Sequence, residues 1–168
     1  VAPYQVKNKE ELQQTQMIQD IVTHVRQLVS DMKMQLEHLM HLALAEDGPS
    51  AYATTIEQDI KLLEEVDACA DYEQMQTFFT GLKFGNLSAI RKFTGDPIKK
   101  ETVQTTRNAI KKEIETIKTK YCGMNLNLLL EQVTRLEPIA GELVELSLLY
   151  AKAMAAGKRK KRIVDFSV

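Results

Sequence analysis

The chain of 168 residues predicts an all-α fold, an irregular bundle of about five helices with one long ordered loop. Three observations carry this expectation. Apolar residues recur at steps of three and four over long stretches, the period of a helix face. No stretch alternates apolar and polar residues as a half-buried strand would, and no internal repeat stands at a fixed period. Seven Gly and four Pro leave little room for a turn-rich all-β fold. A hydrophobic content of 44% and a charged content of 27% are ordinary for a globular chain. The length suits one domain with a sizeable core.

Residues 1–9 lack periodicity and read as a tail or linker, so the helical domain is expected over residues 10–162. The first helix is expected over residues 10–46. Met17, Ile21, Val25, Leu28, Met32, Leu36, Leu39 and Ala43 recur along it, and with Ile18, Val22, Val29 and Met40 they share one face. Asp47-Gly48-Pro49 stops it. Ser50 can cap a second helix to about residue 70, with Ala53, Ile56, Ile60, Leu63 and Val66 inward. Asp71 can cap a short third helix ending near Thr80. Residues 81–96 are irregular and form the long loop. Asp96-Pro97 is a strong start for a fourth helix to about Tyr121, with Asp at the cap and Pro in the first turn. A fifth begins near Asn125, meets Pro138, and resumes to about Ala156. A basic run follows, Lys158 to Arg162. The last residues, Ile163 to Val168, read as the start of a further element that is cut short.

The residues supply little catalytic chemistry. His38 and His41 share a helix face at i, i+3 spacing, but His24 stands about 21 Å away along the same helix. No Cys or carboxylate completes a tetrahedral metal set. All three fall outside the apolar face and read as solvated. Gly157-Lys158 could end a phosphate-binding loop, yet Lys152 and Arg159 break that pattern. Cys69 and Cys122 lie far apart and read as reduced, partly buried thiols. The Met residues of the first helix sit at core spacing, although a Met-rich face can also be an adaptable groove. No apolar run approaches the length of a membrane span, so no membrane partner is expected. No catalytic residue, metal site or cofactor is assigned to the segment.

Charge is more informative. Residues 1–80 hold 5 Lys and Arg against 14 Asp and Glu, whereas residues 81–168 hold 17 against 9. A basic half of this kind points to a polyanion, or else to packing against the acidic half of the same domain. In the fourth helix Val103, Ile110, Ile114, Ile117 and Tyr121 form an apolar stripe. Lys100, Arg107, Lys111 and Lys118 form a basic ridge beside it, and Lys83, Arg91 and Lys92 precede it in the loop. Helix-borne Lys and Arg suit phosphate contacts that give affinity without reading sequence. Phe84 and Phe93 interleave as groups that could stack on bases or be buried.

The chain also resembles part of the A subunit of the AddAB (RexAB) ATP-dependent helicase/nuclease family. The resemblance rests on Gly48-Pro49 with Ala51-Tyr52 and Asp59…Leu62-Leu63, on Lys83-Phe84-Gly85-Asn86-Leu87 with Arg91, and on Lys112 to Tyr121. It continues through Leu136-Glu137-Pro138, Tyr150-Ala151-Lys152 and Val164-Asp165-Phe166-Ser167, with Val168 where the family has Asp. It implies a helical 1B-type domain over residues 10–162 and, over residues 163–168, a return into a RecA-like domain. It further implies a cytoplasmic, bacterial parent enzyme of double-strand-break repair and recombination, a 3′–5′ DNA helicase with exonuclease activity. ATP and Mg, the RecA-like domains and the B subunit belong to that parent. The segment itself would contact the DNA backbone through Lys83, Arg91, Lys92, Lys100, Arg107, Lys111 and Lys118. The alternative is a helical protein–protein interaction scaffold whose basic half docks on an acidic partner.

Overall fold

The computed structural model describes residues 7–135. The basic run Lys158–Arg162, the helix expected past Pro138 and residues 163–168 lie outside the described residues. Within them the chain is all-α, with helices α1 (Lys9–Gln13), α2 (Gln16–Leu44), α3 (Ala53–Glu64), α4 (Tyr72–Gly81), α5 (Pro97–Lys120) and α6 (Leu126–Arg135). No strand occurs among the described residues.

The first expected helix is two helices. The chain turns at Gln14-Thr15, where Thr15 takes an extended ψ of 149° and becomes the N-cap of α2. Its hydroxyl donates to the Leu12 carbonyl at 2.7 Å, closing α1. A threonine hydroxyl that finds a backbone partner competes with helix continuation. Helix α2 runs for 29 residues and buries Ile18, Ile21, Val22, Val25, Val29, Met32, Leu36, Leu39 and Ala43. Met17, Leu28 and Met40 pack at the edges of that face.

Gly48 makes the sharp exit from α2. A Cβ there would stand 2.0 Å from the Leu42 carbonyl oxygen, so only glycine fits this approach. Ser50 opens a 3-10 turn over Ser50–Tyr52 without a side-chain cap, and a second such turn, Glu65–Ala68, prolongs α3. The caps expected on α4 and α5 are present: Asp71 accepts from the Gln74 N–H and Asp96 from the Ile98 N–H, each at 2.9 Å. Asn125 likewise accepts from the Leu128 N–H at 3.1 Å as α6 begins. Each carboxylate or amide oxygen satisfies one orphan donor of a helix start.

Helix α2 is the spine. Helices α3 and α5 pack along it, α4 packs on both α2 and α5, and α1 packs on α6. The core between them is formed by Ile56 and Leu63 of α3, Tyr72, Met75 and Phe79 of α4, and Val103, Ile110, Ile114 and Ile117 of α5. Polar ties cross the same seams. Arg26 donates to the Cys69 carbonyl at 2.7 Å, Gln104 to the Tyr52 hydroxyl at 2.7 Å, and Gln76 to the Cys122 carbonyl at 2.9 Å. Cys69 and Cys122 are both free and buried.

Residues 82–96 carry no helix or strand, as the sequence suggests, yet they are tied down at both ends. Leu82 is buried, and Phe84, Leu87 and Ile90 pack partly against the core. At the far end the Asp96 N–H donates to the Asp47 carbonyl at 2.8 Å. Beside it Lys99 donates to the Asp47 carboxylate. The Lys99 hydrogen bond holds the Asp47 carboxyl below its ordinary range, and the same contact raises the Lys99 ammonium. Gly95 lies in this clasp, where a Cβ would come within 2.2 Å of the Asp47 carbonyl oxygen.

Candidate nucleic-acid interface

The start of the loop lies against α5, and the two enclose a shallow groove of about 270 Å³. Leu82, Phe84 and Ile114 form its apolar lining; Lys83, Lys111, Lys118 and Glu115 bring the charges. Three of the seven residues expected to touch a polyanion are therefore gathered in one concavity. Lys83 comes from the loop because the chain leaves α4 there without continuing the helix. Lys111 and Lys118 come from one α5 face, two turns and about 10 Å apart along the axis.

The lysines differ in how far they are committed. Lys118 donates to the Leu82 carbonyl at 2.7 Å and to Glu115 at 3.3 Å, which fixes the first loop residue to the helix. Lys83 is exposed and Lys111 half-buried. Among the described residues neither is ion-paired with a carboxylate.

Arg107 is a correction to the expected ridge. It is 2% exposed and lies in the interior. Its Nε donates to Asp59 Oδ2 at 2.7 Å and its Nη2 to Asp59 Oδ1 at 3.1 Å, a bidentate pair. Nη2 also donates to the Gly85 carbonyl at 2.6 Å, and the guanidinium sits 5.6 Å from the Phe84 ring centroid. Asp59 is 1% exposed; burial pushes its carboxyl up, against the pull of Arg107. No phosphate reaches a guanidinium so enclosed. Its task is to join α3, α5 and the loop, and so to set where Lys83 and Phe84 stand.

The helical wheel explains the misplacement. Taking Val103 as zero at 100° per residue, Ile110, Ile114 and Ile117 span about −40° to 20°. Arg107 falls at about 40°, adjoining that arc, whereas Lys100, Lys111 and Lys118 fall at about 60° to 80°. Treating all four basic residues as one ridge hid a member that belonged with the apolar stripe. The partner was legible too. Asp59 sits among Ile56, Ile60 and Leu63, and a carboxylate in such a stripe calls for a buried cation.

The remaining expected residues stand apart from the groove. Lys100 lies over the Phe93 ring at 5.6 Å, which occupies that aromatic face. Arg91 and Lys92 are exposed in the same stretch of loop. His24 is exposed, in keeping with the solvated reading, and in addition its Nε2 is 3.0 Å from the Tyr121 hydroxyl, the two rings meeting edge to face. His38 and His41 are exposed. Among the described residues no three His, Cys, Asp or Glu gather closely enough to hold a metal ion. No helix among them is long and apolar enough to cross a membrane.

No protein-family model matches the chain. Curated relatives do, and all three named here are A subunits of an ATP-dependent helicase/nuclease. The one from Bacillus velezensis is 26% identical over 98% of this chain, and the one from Oceanobacillus iheyensis is 28% identical over 95%. The one from Heliobacterium modesticaldum is 28% identical over 83%. The chain spans only about a tenth of these relatives' length, 10% in Heliobacterium and 13% in the other two. Over 83% to 98% of its length, this chain is similar to one segment of the A subunits of these ATP-dependent helicase/nucleases.

Proposed function

We propose that this chain is the DNA-contacting 1B-type accessory segment of a 3′–5′ helicase/nuclease that acts in double-strand-break repair and recombination. The observation that carries this reading is the groove between the loop and α5, where Lys83, Lys111 and Lys118 converge over an apolar lining. Converging ammonium groups attract a polyanion, and backbone phosphates are the anions that such an enzyme meets in series. Arg91 and Lys92 are further exposed cations of the loop, apart from the groove, and Lys100 of α5 lies over Phe93. In this reading the segment holds and positions DNA without reading its sequence, while ATP, Mg and nuclease chemistry reside elsewhere in a cytoplasmic parent that works with a B subunit. Arg107 contributes indirectly, by fixing the loop.

The test is DNA binding by the full chain, with Lys158–Arg162 replaced by glutamines in every sample so that a loose polycation does not dominate. Lys83→Glu with Lys111→Glu should weaken binding about tenfold or more, and His38→Glu with His41→Glu should change it little. Binding that ignores the lysine reversals would remove the groove from the interface. The alternative reading, a helical protein–protein interaction scaffold, takes precedence if the groove binds no DNA.

A further inference from the structure

The groove holds more than charges, and its composition distinguishes among nucleic-acid ligands. A surface built for the outside of a duplex needs only cations, because phosphates project from a polar rod. Here Phe84 is the half-buried apolar group of the lining, with Leu82 and Ile114 buried behind it, and a carboxylate, Glu115, paired with Lys118, stands among the lysines. An apolar, partly aromatic lining gains nothing from a phosphate, and a carboxylate repels one. Both suit a base: the ring face stacks on an aromatic side chain, and an exocyclic amine donates to a carboxylate. The volume, about 270 Å³, lies just under the range of drug-sized ligand pockets, about 300–1,000 Å³. It is the scale of one planar ring system.

Phe84 is also prepared for this role. The buried guanidinium of Arg107 sits 5.6 Å from its ring centroid and holds it from the interior, while the ring lines the groove. A ring so fixed loses little freedom when a base stacks on it. Lys83 and Lys111 form no salt bridge among the described residues, although the Lys111 charge also acts on buried Asp59, and both stand where the flanking phosphates would pass.

We propose that this groove takes one unpaired nucleotide of a DNA single strand, its base against Phe84 and its phosphates on Lys83 and Lys111. The proposal rests on the DNA-contacting reading above and adds to it the class of DNA.

The experiment uses the full chain with Lys158–Arg162 replaced by glutamines. Its affinity is measured for a short oligodeoxycytidine strand, for a strand of equal length with abasic sites, and for the matching duplex. The abasic strand keeps every phosphate and removes every base. The base-bearing strand should bind about 5- to 150-fold more tightly than the abasic one. Phe84→Leu, which keeps an apolar side chain in place, should abolish most of that ratio. Lys111→Gln should weaken both strands alike. Equal affinity for the two strands, or a duplex bound more tightly than either, would overturn the single-nucleotide proposal and leave the DNA reading standing. Absence of binding to all three would overturn both. Should Phe84→Leu fail to fold, as judged by its circular-dichroism melt, the comparison of the two strands on the unsubstituted groove decides alone.

Discussion

Arg107 and Asp59 show how one side chain fixes the site without touching a ligand. The pair is buried, bidentate and joined to the loop through the Gly85 carbonyl. Arg107→Met alone leaves a carboxylate buried without its cation and should cost about 3–5 kcal/mol in urea unfolding. Arg107→Met combined with Asp59→Leu should recover most of that loss, because two apolar groups replace two compensated charges. The thiols make a second test at this scale. Burial pushes Cys122 up to about 12, and burial raises Cys69 as well. Thiolate is the reactive form, so neither should be alkylated by iodoacetamide near pH 8 until urea exposes them, as mass spectrometry would show. The raised Cys122 value also carries a sign. Unfolded thiol ionises near 9 while the folded one stays protonated to about 12, so its contribution to stability falls as pH rises through that window. Burial of the two cysteines and the apolar stripe of α5 were readable from sequence. The place of Arg107 was not read, because about 20° on a helical wheel decides between core and surface, and side-chain reach blurs it. The His24–Tyr121 contact, between residues 97 positions apart, left no local signal.

At the level of elements, the starts of α4, α5 and α6 were legible because capping is local: one Asp or Asn side chain satisfies an N–H two or three residues on. The break at Thr15 was not, since it depends on a hydroxyl choosing the Leu12 carbonyl over solvent. The long loop was recognisable as irregular, but its anchors were not, because they are non-local: Asp47 to Asp96 and Lys99, Leu82 to Lys118, Gly85 to Arg107. The Asp47 clasp can be tested from both sides. Gly95→Ala should push the loop from the Asp47 carbonyl, break the Asp96–Asp47 hydrogen bond and destabilise the fold by about 1–3 kcal/mol in chemical denaturation. Asp47→Asn should remove a pH-dependent contribution. Lys99 holds the folded carboxyl below its unfolded value, so the stabilisation is present above about pH 4 and is lost as pH falls through the depressed value. Thermal melts of the two proteins should differ at neutral pH and converge in acid.

Across the described residues, a helical body with α2 as its spine presents a charged groove at the junction of loop and α5. The all-α architecture was plain in the sequence, because period and breakers survive without tertiary contacts. The groove was legible only in part. Lys83, Lys111 and Lys118 were named, but their convergence across 35 residues of chain needed the fold, as did the separation of Lys100, Arg91 and Lys92 from them. The central claim is that the groove lysines neutralise DNA phosphates. The measurement that tests it most directly is the salt dependence of DNA affinity for the full chain, with Lys158–Arg162 as glutamines, beside the same chain carrying Lys83→Gln and Lys111→Gln. Each lysine–phosphate pair removed should reduce the slope of log affinity against log salt by about 1, so the double variant should bind more weakly at low salt with a slope lower by about 2. A variant that binds with an unchanged slope would contradict the claim, since no counterion release would then have passed through these two lysines.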